Sequence, residues 1–193
     1  IYNVLEKLYN HSIKGRKGPV LLDLPMCLQR NIVKKNNKTL KINIKQKPIN
    51  NRLITRIFNI LQSASRPIII AGGGIRNSQS VEKFNDLIKE LNIPVVTTWS
   101  GMDSIDSKNP LYIGNIGVYG SRAANFCVQN ADFILSIGSR LDTRITGGKP
   151  STFAREAKLI MVDIDKGELD KKRGLKPYLK VNNDCNIFID SFI

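Results

Sequence analysis

Pro67-Ile68-Ile69-Ile70-Ala71-Gly72-Gly73-Gly74-Ile75 is a short apolar run that stops at three glycines, and an amphipathic segment follows it. Strand, glycine turn and helix in that order is the geometry that turns backbone N–H groups toward a phosphate. Residues without Cβ let a diphosphate approach the chain, and a helix N-terminus adds partial positive charge. The spacing departs from G-x-G-x-x-G, so a plain tight connection after a parallel strand remains the alternative at this turn.

Outward from this turn the pattern repeats. Leu53, Ile54, Ile57, Phe58 and Leu61 precede it at helical spacing, and Val81, Phe84, Leu87, Ile88 and Leu91 follow as a second amphipathic helix. Strand 94–97, a helix from Ser121 to Asn130, strands 133–137, 159–163 and 178–181, and a closing helix from Asp184 to Phe192 continue the alternation. Strands apolar on both faces and separated by helices predict a parallel sheet covered on both sides, a doubly wound, Rossmann-like α/β domain over 51–193. Residues 1–25 combine a helical pattern (Val4, Leu5, Leu8, Tyr9), a turn at 14–18 and a buried-looking strand at 19–24. Residues 26–50, rich in Lys and Asn, read as an extended linker.

Ligands of such sheets collect at the carboxyl ends of strands, near the reversal of strand order. Here those ends carry Gly72-Gly73-Gly74, Thr98-Trp99-Ser100, Gly138-Ser139-Arg140, Asp163-Ile164-Asp165 and Asn183-Asp184. Glycines and hydroxyls suit phosphate, a guanidinium suits diphosphate charge, and a carboxylate suits sugar hydroxyls, so the set reads as a nucleotide site. Each residue has a plainer alternative. Thr98 and Ser100 also fit helix caps, and Arg140, Asp142 and Arg144 fit a surface ion-pair cluster. Trp99 fits core or cover as well as a stacking surface, and one of Asp163 and Asp165 is expected to cap the turn at Lys166-Gly167.

The chain has 193 residues, 30 Lys and Arg against 16 Asp and Glu, and a net charge of +14. The basic residues are scattered, with Lys34, Lys35, Lys38, Lys41, Lys45 and Lys47 in one polar stretch and Lys171-Lys172-Arg173 in another. No aromatic residues interleave with them, which argues against a nucleic-acid partner. Cys27, Cys127 and Cys185 lack C-x-x-C pairing, so neither a disulfide framework nor a zinc site is expected, and a reducing cytoplasm fits. The single histidine, His11, reads as a surface or capping residue. No apolar run approaches the roughly 20 residues needed to cross a bilayer. The chain opens at Ile1 rather than Met, as expected of a piece of a longer product.

The ordered set Gly18-Pro19-Val20-Leu21-Leu22-Asp23-Leu24-Pro25, Arg66-Pro67, Ala71-Gly72-Gly73-Gly74, Asn130-Ala131-Asp132, Gly138 to Gly147 and Val162-Asp163-Ile164-Asp165 resembles thiamine-diphosphate-dependent enzymes, acetolactate synthases above all. The resemblance implies that 1–25 is the tail of a pyrimidine-binding domain, 26–50 a linker, and 51–193 a central, deoxyhypusine-synthase-like domain that holds FAD. Thiamine diphosphate and Mg2+ would be bound by domains outside this stretch. No residue here is then expected to be catalytic or to ligate a metal.

By the same resemblance, Gly72, Gly73 and Gly74 stand at the turn beside the flavin nucleotide's sugar-phosphate portion, Thr98, Trp99 and Ser100 at a Thr-Leu-Gln/Met segment, and Gly138, Ser139 and Arg140 at a Gly-x-Arg segment. Asp163 and Ile164 stand near the adenosine portion, and Asp184 with Cys185 at the last contact. The chain departs from the family pattern at Tyr119, where acetolactate synthases carry His, at Ser100, a shorter side chain, and at Thr143, which replaces the second Asp of Phe-Asp-Asp-Arg. The implied parent is a homo-oligomeric carboligase of branched-chain amino acid biosynthesis that condenses pyruvate with a second 2-oxo acid. Its flavin is structural. Two alternatives stand beside it: a thiamine-dependent decarboxylase or oxidase with ADP or no nucleotide in this domain, and a non-catalytic nucleotide-binding module.

Overall fold

The computed structural model describes residues 1–32 and 48–193. The chain divides into two compact units, Ile1–Gln46 and Lys47–Ile193. The first contains helix α1 (Tyr2–Ile13) and a single helical turn, α2 (Met26–Gln29). The expected strand at 19–24 does not form: the segment pairs with no strand among the described residues, and Leu21 is 89% exposed. An apolar run becomes a buried strand only where a sheet accepts its backbone and covers its faces. Of the expected linker 26–50, residues 33–47 lie outside the described residues.

The second unit is built on six parallel strands: β1 (Pro67–Ala71), β2 (Val95–Thr97), β3 (Tyr112–Asn115), β4 (Phe133–Ile137), β5 (Lys158–Asp163) and β6 (Leu179–Asn182). Their order is β3-β2-β1-β4-β5-β6, so strand order reverses between β1 and β4. Ile68, Ile69 and Ile70 are buried on both faces of β1, as are the residues of β4. One face packs against helices α3 (Asn51–Gln62), α5 (Val81–Leu91) and α9 (Cys185–Asp190) through Ile57, Leu61, Phe84, Leu87, Phe188 and Ile189. The other packs against α6 (Arg122–Asn130) through Ala124 and Val128, and against Leu141, Phe153 and Leu169. Burying a side chain such as Phe84 or Leu87 completely contributes about 2 kcal/mol. This is the doubly wound α/β fold expected from the alternation.

Asp132, on the turn into β4, accepts the N–H groups of Ser65 at 2.8 Å and Arg66 at 2.9 Å, while Arg66 Nε donates to Asn130 O at 2.7 Å. These bonds tie the α3–β1 turn to the amino end of β4. Partial burial works to raise the Asp132 pKa, but the two N–H donors and the Arg66 charge hold it below the usual carboxylate range.

The strand β3 is absent from the periodicity. Its four residues are half-buried, Gly114 sits at φ +129° within it, and its register against β2 shifts between Val95 and Val96. A short, irregular edge strand with an internal glycine leaves neither an alternating nor a continuous apolar signature.

Candidate functional site

The loops after β1 and β4 lie side by side at the reversal of strand order, and they touch through glycine backbone. Gly72 N–H donates to Ile137 O at 2.9 Å, Gly74 N–H to Gly138 O at 3.0 Å, and Gly138 N–H to Val162 O at 2.9 Å. A Cβ on Gly72 would fall 2.2 Å from Gly138 O, and one on Gly74 2.6 Å from Gly138 Cα. Two of the three N–H groups in the glycine turn are therefore committed to protein carbonyls. Among the described residues, Gly73 N–H donates to no protein acceptor. The amphipathic helix α5 opens at Val81 rather than at the glycines, after a single turn, α4 (Gly74–Asn77). Little helix-dipole charge is focused on this loop.

Beside this loop, Thr98 and Trp99 lead into a 3-10 helix, Trp99–Ser104, after β2. Thr98 occupies the cap position but makes no side-chain cap bond; its hydroxyl donates to Ala71 O at 3.4 Å. Ser100 lies against Gly73, where a Cβ would meet its side chain at 3.0 Å. Trp99 is 64% exposed, which removes the core reading, and it packs edge-to-face on Tyr119, 70% exposed, with centroids 5.1 Å apart. Trp99, Asn115, Tyr119 and Arg144 line a cleft of about 300 Å³ with Ile116 and Ile145.

That cleft is held from behind. Gly117 exchanges hydrogen bonds with the Asn125 side chain at 2.8 and 3.0 Å, and Val118 N–H donates to Arg144 O at 2.8 Å. The Asn115 carboxamide accepts from Thr97 Oγ1 and from Tyr112 OH, and donates to Met102 Sδ at 2.7 Å. Arg140 lies 3.7 Å from Asp142, a half-exposed pair that leaves its guanidinium open to solvent, while Asp142 caps helix α7 (Thr143–Thr146) through Arg144 N–H.

At the far side, Asp163 is buried at the end of β5 and its carboxylate accepts Asp165 N–H at 2.8 Å. Asp165 caps helix α8 (Lys166–Asp170) through Gly167 N–H and Glu168 N–H, the turn expected for one member of this pair. Ile164 O accepts from Asn182 Nδ2 at 2.9 Å. Asp184 caps α9 through Asn186 N–H, and Cys185 is buried with its sulfur against Gly138, 3.0 Å from where a Cβ would stand. Burial, with Asp184 and Asp163 nearby, pushes the Cys185 thiol well up.

The sheet thus brings Gly73 to Ser100, Gly72 and Gly74 to Gly138, Gly138 to Cys185, and Trp99 to Tyr119. The aromatic pair and the carboxylates stay apart, because three strand spacings, about 14 Å, separate the ends of β2 and β5. Residues 54–192 match the family described as thiamine pyrophosphate enzyme, central domain. The chain belongs to this family.

Among curated relatives, this thiamine pyrophosphate enzyme central domain is 37% identical over 186 residues to a probable acetolactate synthase large subunit of Methanococcus aeolicus, covering 89% of the chain and 29% of the relative. It is 32% identical over 200 residues to the acetolactate synthase large subunit of Cyanidium caldarium, with 100% and 34% covered. Against acetolactate synthase isozyme 2 large subunit of Escherichia coli the identity is 28% over 187 residues, with 96% and 33% covered. The chain spans about a third of the length of these relatives. Asn115 and Val118 were not among the residues picked out in the sequence; the signal within reach was the glycine pair Gly117 and Gly120, which bends the chain back over the β3 end.

Proposed function

We propose that this domain is the central, cofactor-holding part of a thiamine-diphosphate-dependent carboligase that condenses pyruvate with a second 2-oxo acid, acetolactate-synthase-like, and that it binds FAD along the carboxyl edge of its sheet. The observation that carries the reading is the ordering of chemistry along that edge. Exposed aromatic rings, Trp99 and Tyr119, stand over the β2 and β3 ends, guanidinium groups, Arg140 and Arg144, follow β4, and the Asp163 and Asp184 carboxylates follow β5 and β6. Flat ring, diphosphate and sugar hydroxyls each meet a suitable partner in that sequence.

The donor set fits such a molecule in one particular way. With Gly72 and Gly74 N–H committed elsewhere, the phosphates rest on Gly73 N–H and on the Arg140 and Arg144 side chains, while Trp99 and Tyr119 cover a ring. FAD held here serves assembly; thiamine diphosphate with Mg2+, bound by other domains, supplies the carbanion chemistry. The three free cysteines suit a reducing cytoplasm. Exposed Phe126 on α6 offers apolar surface for a homo-oligomer. A second reading, ADP in place of FAD in a decarboxylase or oxidase, draws support from the modest cleft volume of about 300 Å³ and from Tyr119, which by the resemblance stands where acetolactate synthases carry His.

The longer polypeptide that carries this domain, purified and denatured, is expected to release FAD, and with thiamine diphosphate and Mg2+ to convert pyruvate to acetolactate. Release of ADP with decarboxylation alone supports the second reading. An active, nucleotide-free enzyme overturns both.

A further inference from the structure

The amino edge of the sheet carries a basic trough that the nucleotide reading does not use. Arg52, Arg56 and Asn59 on α3 and Ser63 at its C-cap follow one another at spacings of four, three and four, a single stripe on the exposed side of the helix. The stripe is about 16 Å long at 1.5 Å per residue. Tyr178, the residue before β6, and half-buried Ile60 line the same volume of about 520 Å³.

Two cations are oriented by the Tyr178 ring. The Arg56 guanidinium carbon lies 5.7 Å from the ring centroid, and Nζ of Lys158, the first residue of β5, lies 5.9 Å from it. Other basic side chains of this unit meet acids: Lys83 with Asp190, Lys166 and Lys180 with Asp170, and Lys171 and Arg173 with Glu168. Among the described residues no carboxylate forms an ion pair with Arg52, Arg56 or Lys158. Asp132, on the neighbouring turn, is taken by the N–H groups of Ser65 and Arg66.

We infer that the trough between α3 and Tyr178 is a docking site for an acidic segment of another polypeptide, whose carboxylates pair with Arg52, Arg56 and Lys158. Forked guanidinium groups match carboxylates two hydrogen bonds at a time. Arginine and tyrosine are among the residue types that concentrate binding energy at protein interfaces. A second copy of this chain is a poor occupant, because 30 basic residues against 16 acidic ones leave it little negative surface to offer. A nucleic-acid strand is a poorer one: the aromatic ring a base needs for stacking is engaged by Arg56 and Lys158.

The test is fluorescence anisotropy of a labelled twelve-residue helical peptide with Glu at every fourth position, titrated with the chain at low and at physiological salt. Arg52→Gln with Arg56→Gln is expected to weaken binding at least tenfold. Lys89→Gln with Lys108→Gln, the same charge change at exposed positions elsewhere, is expected to alter it less than twofold. Equal losses in the two double variants would reduce the effect to net charge and overturn the site. Tighter binding of single-stranded DNA that depends on Arg52 and Arg56 would replace the polypeptide by a nucleic acid. Exposed helix positions tolerate Gln; the circular dichroism of each variant checks this, and Lys158→Gln, on the strand side, gives the same readout without touching α3.

Discussion

Gly72 and Gly138 meet backbone to backbone where strand order reverses: Gly72 N–H reaches Ile137 O at 2.9 Å, and any side chain on Gly72 would lie 2.2 Å from Gly138 O. The glycines at this point join the two halves of the sheet, a demand on space that holds with or without a ligand. Gly138 adds a second demand, since its φ of +66° is costly for other residues.

Gly72→Ala and Gly138→Ala are accordingly expected to destabilise the chain by about 3 kcal/mol each, as rigid backbone must shift to admit a Cβ. Gly148→Ala, with nothing within 4 Å of its Cβ position, is expected to stay within about 0.5 kcal/mol of wild type. Urea unfolding of the three variants checks the contrast. Equal, small effects would dismiss the close contact.

Trp99→Ala removes the exposed ring that packs on Tyr119. Loss of about 1.4 kcal/mol of ring contact corresponds to a tenfold weaker affinity for FAD, read from flavin fluorescence. Arg140→Gln is expected to weaken FAD by a similar factor and to leave riboflavin, which has no phosphate, unaffected. Unchanged FAD affinity in both variants would count against the carboxyl-edge site.

Glu168 is almost buried, held by Lys171 at 2.6 Å and Arg173 at 2.8 Å. The Lys171 hydrogen bond, against the opposing effect of burial and with Arg173 assisting, holds its carboxyl below the usual range. The unfolded chain then binds the proton more readily than the folded one, so the pair's stabilisation is complete above the unfolded pKa of about 4.3 and fades as pH falls through the lower folded value. Glu168→Gln is expected to cost roughly 2 kcal/mol at pH 7. The gap in stability between wild type and variant should narrow progressively as pH falls below about 4.3; a gap that stays constant from pH 7 through the acid range would refute the assignment.

Cys185 is buried and its thiol is pushed upward by that burial, whereas Cys27 is exposed. Thiolate is the reactive form. An aromatic disulfide reagent at pH 8 is expected to modify Cys27 within the mixing period and Cys185 only after denaturant is added. Peptide mapping of the labelled chain distinguishes the two.

Ser136 is fully buried in β4 between Ile70 and Met161, and its hydroxyl has no hydrogen-bond partner among the described residues. Ser136→Ala removes that unsatisfied group and is expected to leave stability unchanged or raise it by about 1 kcal/mol. A loss of more than about 1 kcal/mol in thermal unfolding would mean that the hydroxyl is engaged after all.

Helices α3, α5 and α6 and strands β1, β4 and β5 were legible because each carries its own periodicity, 3.6 for one covered face and a continuous apolar run for two. The cap at Asp165 likewise declares itself, since its bonds to Gly167 and Glu168 N–H close within three residues; the caps at Ser121 and Asp184 came only with the structure. The same local logic reads 19–24 as a strand, although that segment pairs with no strand among the described residues, and passes over β3, whose interior glycine and half-burial blur its signature.

From its residues alone the chain set the alternation of helix and strand, the parallel sheet and the kind of chemistry at the strand ends, because these follow from spacing within a few positions. Only the folded arrangement decided that β1 and β4 are neighbours, that two glycine N–H groups are already engaged, that Trp99 faces outward onto Tyr119, and that Arg52 and Arg56 share a trough with Tyr178. Those relations join residues tens of positions apart, and no local periodicity encodes the distance between them.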